Sequence, residues 1–169
     1  RLAHMLIRSG ERGLASTAAE VAVLLGERGI GGQDVDVEQR LRRWRTERGP
    51  KAEAARQMAK RWSGLAPRPV EQEAWDHPAG VYLALAYPDR VARRRDGTGE
   101  NWASVGGRGF RLDPTSGLAS SEWLAVGETQ GAASGARILS AAPLDLATVE
   151  ALFADRIETR RTVTFNPAT

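Results

Sequence analysis

Arginine is the residue type in this chain with chemistry to offer. Arg90, Arg93, Arg94 and Arg95 crowd into six positions, and Arg40, Arg42, Arg43, Arg45 and Arg48 into nine. Arg108 stands alone inside Gly106-Gly107-Arg108-Gly109, and Arg111 follows three residues later. Guanidinium groups in such density suit the phosphates of a nucleic-acid backbone, which take planar, charge-assisted hydrogen bonds. Arg90 and Arg94, four apart, are read as one basic edge. Arg42, Arg45 and Arg48 are read either as a solvated helix face or as a channel lining. Arg108 is read as the exposed tip of a hairpin, where a side chain has little to pack against.

Other chemistries find little support. The chain has 169 residues, no cysteine and two histidines, His4 and His77, far apart in sequence. Disulfides and thiolate zinc sites are excluded, and no metal site is expected. His4 is expected to be a satisfied core histidine. The glycine-rich 106–109 segment is not a nucleotide loop, because Gly-Lys-[Ser/Thr] is missing and a strand rather than a helix follows. No nucleophile elbow Gly-x-Ser-x-Gly occurs.

The net charge of +3 is unevenly spread. Residues 1–62 carry 13 basic against 8 acidic side chains, net +5; residues 63–169 carry 11 against 13, net −2. That asymmetry fits one nucleic-acid-facing surface better than a uniformly cationic binder. No apolar run reaches the roughly 18–20 residues that span a bilayer, and the opening segment lacks a signal-peptide pattern. The chain begins without methionine, as a cut from a longer protein would.

The elements that must position these arginines divide into two halves. Leu2, Met5 and Leu6 form a helical stripe that breaks at Ser9-Gly10 and Gly13. A second stripe runs from Leu14 to Leu25 and stops at Gly26. Asp36 is an N-cap with Gln39 at the capping-box position, and the helix behind it shows Val37, Leu41 and Trp44 on one face. Gly49-Pro50 ends that helix. Ala55, Met58, Ala59 and Trp62 give another stripe, and residues 63–76, with Gly64, Pro67 and Pro69, read as a linker. An apolar helix over 81–86 ends at Tyr87-Pro88, where Asp89 is read as structural.

Beyond residue 100 the period changes. Trp102–Val105 and Phe110–Leu112 flank the glycine-rich turn as a hairpin. Trp123–Glu128 and Ala136–Ala142 are further strands, and Thr159–Phe165 a last one. Leu146, Val149, Leu152 and Phe153 form a short helix capped by Asp145. Trp102 and Phe110 could stack on bases, but both are read first as core, as are Trp44, Trp62 and Trp123. The resulting class is α+β: a helical bundle over 1–76, then a small OB-like β-barrel over 77–169.

Several segments together carry a resemblance to a known family. They are Arg1-Leu2-Ala3-His4-Met5-Leu6, Leu83 to Arg94, Trp102 to Leu112, Asp113-Pro114-Thr115-Ser116-Gly117-Leu118 with Glu122-Trp123-Leu124, and Ala136 to Asp145. The chain resembles the carboxy-terminal accessory region of HrpB-type bacterial DExH-box ATP-dependent helicases, most strongly over 81–145. Asp113 stands where DEAH-box OB domains have a histidine, and the helix at 146–153 follows the strands instead of lying between the third and fourth. The resemblance implies a non-motor region that guides single-stranded RNA or DNA, with Arg42, Arg45, Arg48, Arg90, Arg94, Arg108 and Arg111 toward the strand. It implies motor domains in cis, a monomer, no membrane partner and a cytoplasmic setting. ATP and magnesium would belong to the motor alone, so this chain is expected to be inactive as an ATPase. The reading from a different class is a protein-interaction module that docks the motor or an external partner.

Overall fold

The structure is a computed structural model and describes residues 1–70, 72–73, 76–132 and 134–154. Its first part is helical: α1 (Leu2–Glu11), α2 (Ala15–Gly26), α3 (Val37–Thr46), α4 (Pro50–Leu65) and α5 (Ala79–Ala86). α1 runs through Ser9-Gly10 instead of breaking there: both residues are buried, and Gly10 packs against Ala66 and Pro67. α3 begins where expected: the Asp36 carboxylate accepts the Glu38 N–H at 2.9 Å. The capping box is not completed by Gln39; the Asp36 N–H donates instead to Asp34, at 3.0 Å. Pro50 opens α4 at its first position, where a missing N–H costs nothing. α2 and α5 are buried on nearly every side, and Trp44 seals the bundle by donating its Nε1–H to the Ala52 carbonyl at 3.1 Å.

The segment read as a linker starts later than expected, since α4 continues to Leu65. It is also fastened. Val70 N–H donates to Glu11 O and Glu73 N–H to Arg12 O. Asp76 accepts Thr17 Oγ1–H at 2.5 Å and also the Tyr82 hydroxyl. His77, half-buried, lies between Glu73 and Arg12. His4 is exposed, which corrects the core assignment: it sits on the face of α1 turned away from Met5.

A 3₁₀ turn over Pro88–Arg90 leads into the sheet: β1 (Val91–Arg94), β2 (Asn101–Ser104), β3 (Gly109–Arg111), β4 (Trp123–Val126), β5 (Thr129–Gln130), β6 (Ser134–Ile138) and β7 (Ala141–Leu144). The order across it is β5-β6-β3-β2-β1-β4-β7. β1, β2 and β3 form an antiparallel meander, β4 returns beside β1, and β6 lies parallel to β3. β4 and β5 are two stretches of one path, and so are β6 and β7, bent at Leu139-Ser140. These two paths pair with each other at both stretches. The β6–β7 path therefore borders β3 with one half and β4 with the other, which curls the sheet into an OB-like half-barrel. The apparent departure in element order also disappears. β1 is an additional first strand, so the hairpin holds the second and third, and a 3₁₀ turn over Gly117–Ser120 occupies the place between the third and fourth. The helix α6 (Leu146–Leu152) is an addition after the barrel, capped by Asp145 through Thr148 N–H at 2.7 Å. The strand expected at 159–165 lies outside the described residues.

Two cores result. Ala92, Trp102, Phe110, Leu124 and Ile138 fill the barrel interior with neighbours from the 112–119 turn. The opposite faces of β1, β4 and β7 offer Val91, Ala125, Ala142 and Leu144 to α5 and the bundle. α5 thus packs on α1, α2 and α3 as well as on the sheet. The approach is close: a Cβ on Gly80 would lie 2.5 Å from the Pro143 carbonyl oxygen.

Candidate nucleic-acid interface

Strand alternation decides what β2 and β3 present. Trp102 and Phe110 face each other across the pair and point inward, 1% and 2% exposed. Asn101, Ala103, Gly109 and Arg111 therefore face outward. The turn between the strands places Arg108 at its exposed end, with its N–H on Ser104 Oγ at 2.9 Å. Among the described residues the Arg108 side chain has no carboxylate or carbonyl partner. Arg111 bonds Glu100 at 3.0 Å, a pair exposed on both sides and so cheap to exchange for another anion.

Arg95 completes the group. It leaves β1 at the start of the 95–100 loop, its N–H on Asn101 O at 2.8 Å. Arg95, Arg108 and Arg111 line one open cleft of about 630 Å³, between the β2–β3 hairpin and Ser134-Gly135 of β6. Gly107 has no side chain and open space where one would stand, so a ligand backbone can come close to the main chain there, whereas the Arg111 stem covers Gly135.

Asp96 shapes the loop behind Arg95. Its carboxylate accepts from Thr98 Oγ1, the N–H groups of Gly99, Glu100 and Asn101, and Asn101 Nδ2. These bonds, led by that from the Asn101 side chain, hold its carboxyl below the usual aspartate range. Gly99 takes φ +74°, and a Cβ there would collide with the Ala119 carbonyl. Trp102 then locks the loop to the barrel by donating its Nε1–H to Gly99 O at 2.8 Å.

The remaining arginines singled out in the sequence lie elsewhere. Arg90 and Arg94 do not share a helical edge, because Arg90 ends a 3₁₀ turn and Arg94 ends β1. Arg90 stacks 4.7 Å from the Tyr87 ring centre and donates to the Gly127 carbonyl. Arg94 donates to Ala119 O at 3.3 Å. Arg93 bonds Glu122 at 3.0 Å and lies over the half-buried Trp123 ring. On α3, Arg42 pairs with Glu38 at 3.7 Å and Arg45 grips Glu20 through two bonds of 3.2 Å. Arg48 is exposed past the helix end. Arg40 is buried and serves the fold: it donates to the Leu24, Glu27 and Ile30 carbonyls, and burial lowers its pKa. The sequence therefore singled out two of the three cleft arginines, and Arg95 was hidden in a run of three. Trp102 and Phe110 are core residues, as expected. No metal-binding cluster of His, Cys, Asp or Glu occurs among the described residues, and no described helix is long and apolar enough to cross a membrane.

No family model matches the sequence, and no curated protein matches it. Solved structures do. The crystal structure of the E. coli DExH-box NTPase HrpB matches 91% of this chain at a TM-score of 0.69 and 28% identity. A crystal structure of the Escherichia coli DEAH/RHA helicase HrpB matches 86% at a TM-score of 0.62 and 27% identity. The chain spans about 18% and 17% of the length of those two relatives. The resemblance carried by residues 81–145 is thus borne out over nearly the whole chain, in fold and in sequence.

Proposed function

We propose that this chain, similar to the carboxy-terminal accessory region of HrpB-type DExH-box helicases, guides single-stranded nucleic acid across its barrel while a motor in cis drives the strand. The observation that carries the reading is the β2–β3–β6 cleft, lined by Arg95, Arg108 and Arg111 and open to the main chain at Gly107. In OB barrels the face of the second and third strands, with the adjoining loops, is where oligonucleotides lie. The geometry here is suited to phosphate contact. Among the described residues Arg108 has no carboxylate or carbonyl partner and Arg111 is held by an exposed carboxylate alone, and Asp96 fixes the loop that carries Arg95. No aromatic ring is offered to a base in this cleft, since Trp102 and Phe110 are buried. Affinity would come from charge and counterion release, and binding would tolerate sequence. The chain's part is positional: it holds the backbone, and ATP hydrolysis belongs to the motor.

The test is fluorescence anisotropy with a labelled single-stranded RNA, comparing the chain with its Arg95→Ala/Arg108→Ala/Arg111→Ala variant. Binding of the unsubstituted chain should fall in the non-specific range, with a Kd of roughly 10⁻⁴ to 10⁻⁶ M at physiological salt. The salt slope should flatten by about two units in the variant, at roughly 0.7 for each phosphate of a single strand that is no longer neutralised. Equal slopes for the two proteins would remove the cleft from the account.

A further inference from the structure

A second group of cations lies on the bundle, where Arg28 and Lys51 join Arg43 of the α3 arginine run. The α2–α3 connection turns on Gly29, Gly31 and Gly32, all at positive φ. Its carbonyls are taken from both sides: Arg40 binds Glu27 O and Ile30 O from the inside, and the exposed Lys51 Nζ binds Arg28 O at 2.5 Å. The Gly31 N–H is taken by Glu47 at 2.8 Å, whereas Gly29 and Gly32 N–H donate to nothing among the described residues. Both of those glycines are exposed. Backbone amides in such a turn suit anions, and Gly31 already holds one, the Glu47 carboxylate.

Cations surround it. Arg43 Nη1 comes within 3.2 Å of where a Gly32 Cβ would lie, and Lys51 Nζ within 3.6 Å of the same point on Gly29. Arg28 lines the adjoining hollow with Gly29 and Gly32. Arg28, Arg43 and Lys51 are exposed, and none has a carboxylate partner among the described residues. Two carboxylates, Asp34 and Glu128, also line the hollow. Asp34 accepts the Asp36 N–H, and Glu128 interacts with Arg40. Around the loop Arg28, Arg40, Arg43 and Lys51 thus face Asp34, Glu47 and Glu128, which leaves a single positive charge over.

We propose that the Gly29–Gly32 loop, with Arg28, Arg43 and Lys51, is a second phosphodiester-binding site, which takes the same strand after it leaves the barrel cleft. Its position supports a continuous track. The hollow beside the loop is walled by Thr129 and Gln130 of β5, and the barrel cleft by Ser134 and Gly135 of β6. Thr129 and Gln130 pair with Ile138 and Arg137, two to four residues along β6 from Ser134 and Gly135, so roughly 7–13 Å of strand plus one interstrand spacing of about 5 Å separates the two sites. This inference rests on the barrel cleft binding nucleic acid.

The experiment compares an RNA of about 4 nucleotides with one of about 16, the range that single OB folds cover. The full chain, Arg28→Gln/Arg43→Gln and the cleft triple variant are titrated at several salt concentrations. The loop variant should bind the short RNA as the full chain does, and should lose about one to two units of salt slope on the long one. An unchanged slope on the long RNA would overturn the second site while leaving the cleft intact, provided that the cleft variant does flatten. If neither variant flattens it, both readings fall. If the double variant melts early, Arg28→Gln and Arg43→Gln are measured singly, and each should remove about 0.7 units.

Discussion

Trp102→Ala separates packing from ligand contact at the face where the two readings meet. The indole is 1% exposed, faces Phe110 across the β2–β3 pair and ties the 95–100 loop through Gly99 O at 2.8 Å. Truncation removes a large buried ring and strips the Gly99 carbonyl of its donor. A cost of about 3–5 kcal/mol follows from comparable core truncations. For a chain of this length that is a drop in Tm of roughly 6–20 °C, at about 2–4 °C per kcal/mol. Trp102→Phe keeps most of the apolar volume and loses the N–H with part of the ring, so it should cost less than the alanine, at least about 1–3 kcal/mol for one unsatisfied carbonyl. Thermal melts followed by near-ultraviolet circular dichroism measure both. RNA affinity at a temperature where each variant is folded should stay within a few-fold of the unsubstituted chain. An unchanged Tm together with abolished binding would refute the reasoning, because the ring would then be serving bases and not the barrel.

Arg108→Ala should leave stability within about 0.5 kcal/mol and flatten the salt slope of RNA binding by about 0.7–1 unit; chemical denaturation and titration measure the two effects. Gly80→Ala should cost about 1–3 kcal/mol by overpacking, because its methyl would meet the Pro143 carbonyl oxygen at 2.5 Å and push α5 off β7; a denaturant midpoint shows it. Asp96 has a folded-state pKa below its ordinary value, so its contribution is complete above the ordinary aspartate range and lost as pH falls through the folded value. Amide exchange at Gly99 and Glu100 should accordingly quicken at acid pH before that of Trp102, and Asp96→Asn should bring the change to neutral pH.

What the sequence revealed depended on whether a local signal matched a local cause. The β2–β3 hairpin was legible because Gly106-Gly107-Arg108-Gly109 interrupts two runs that each hold an aromatic residue. The α3 start was legible because Asp36 stands directly before the stripe Val37, Leu41, Trp44. β1 was not, because Val91-Ala92-Arg93-Arg94 has neither turn signals nor clean alternation, and its pairing with β2 and β4 alone makes it a strand. The bend at Leu139-Ser140 was equally silent. Residues 136–142 read as one strand, and only two different partners, β3 and β4, divide the path into β6 and β7. Tertiary pairing also decided the arginines. Arg90 and Arg94 donate to carbonyls distant in sequence, while Arg28 and Arg43 have no carboxylate partner among the described residues, in a fold that gives Glu38 to Arg42 and Glu20 to Arg45.

The central claim is that the strand lies on the β2–β3–β6 face. Amide chemical-shift mapping of the isotope-labelled chain during titration with a single-stranded oligonucleotide tests it most directly. The largest shifts should fall on Gly107, Arg108, Gly109 and Gly135, with Arg95 and Arg111 beside them. Shifts confined to the exposed Leu65 and Val70 end of the bundle, or none at saturating RNA, would contradict it.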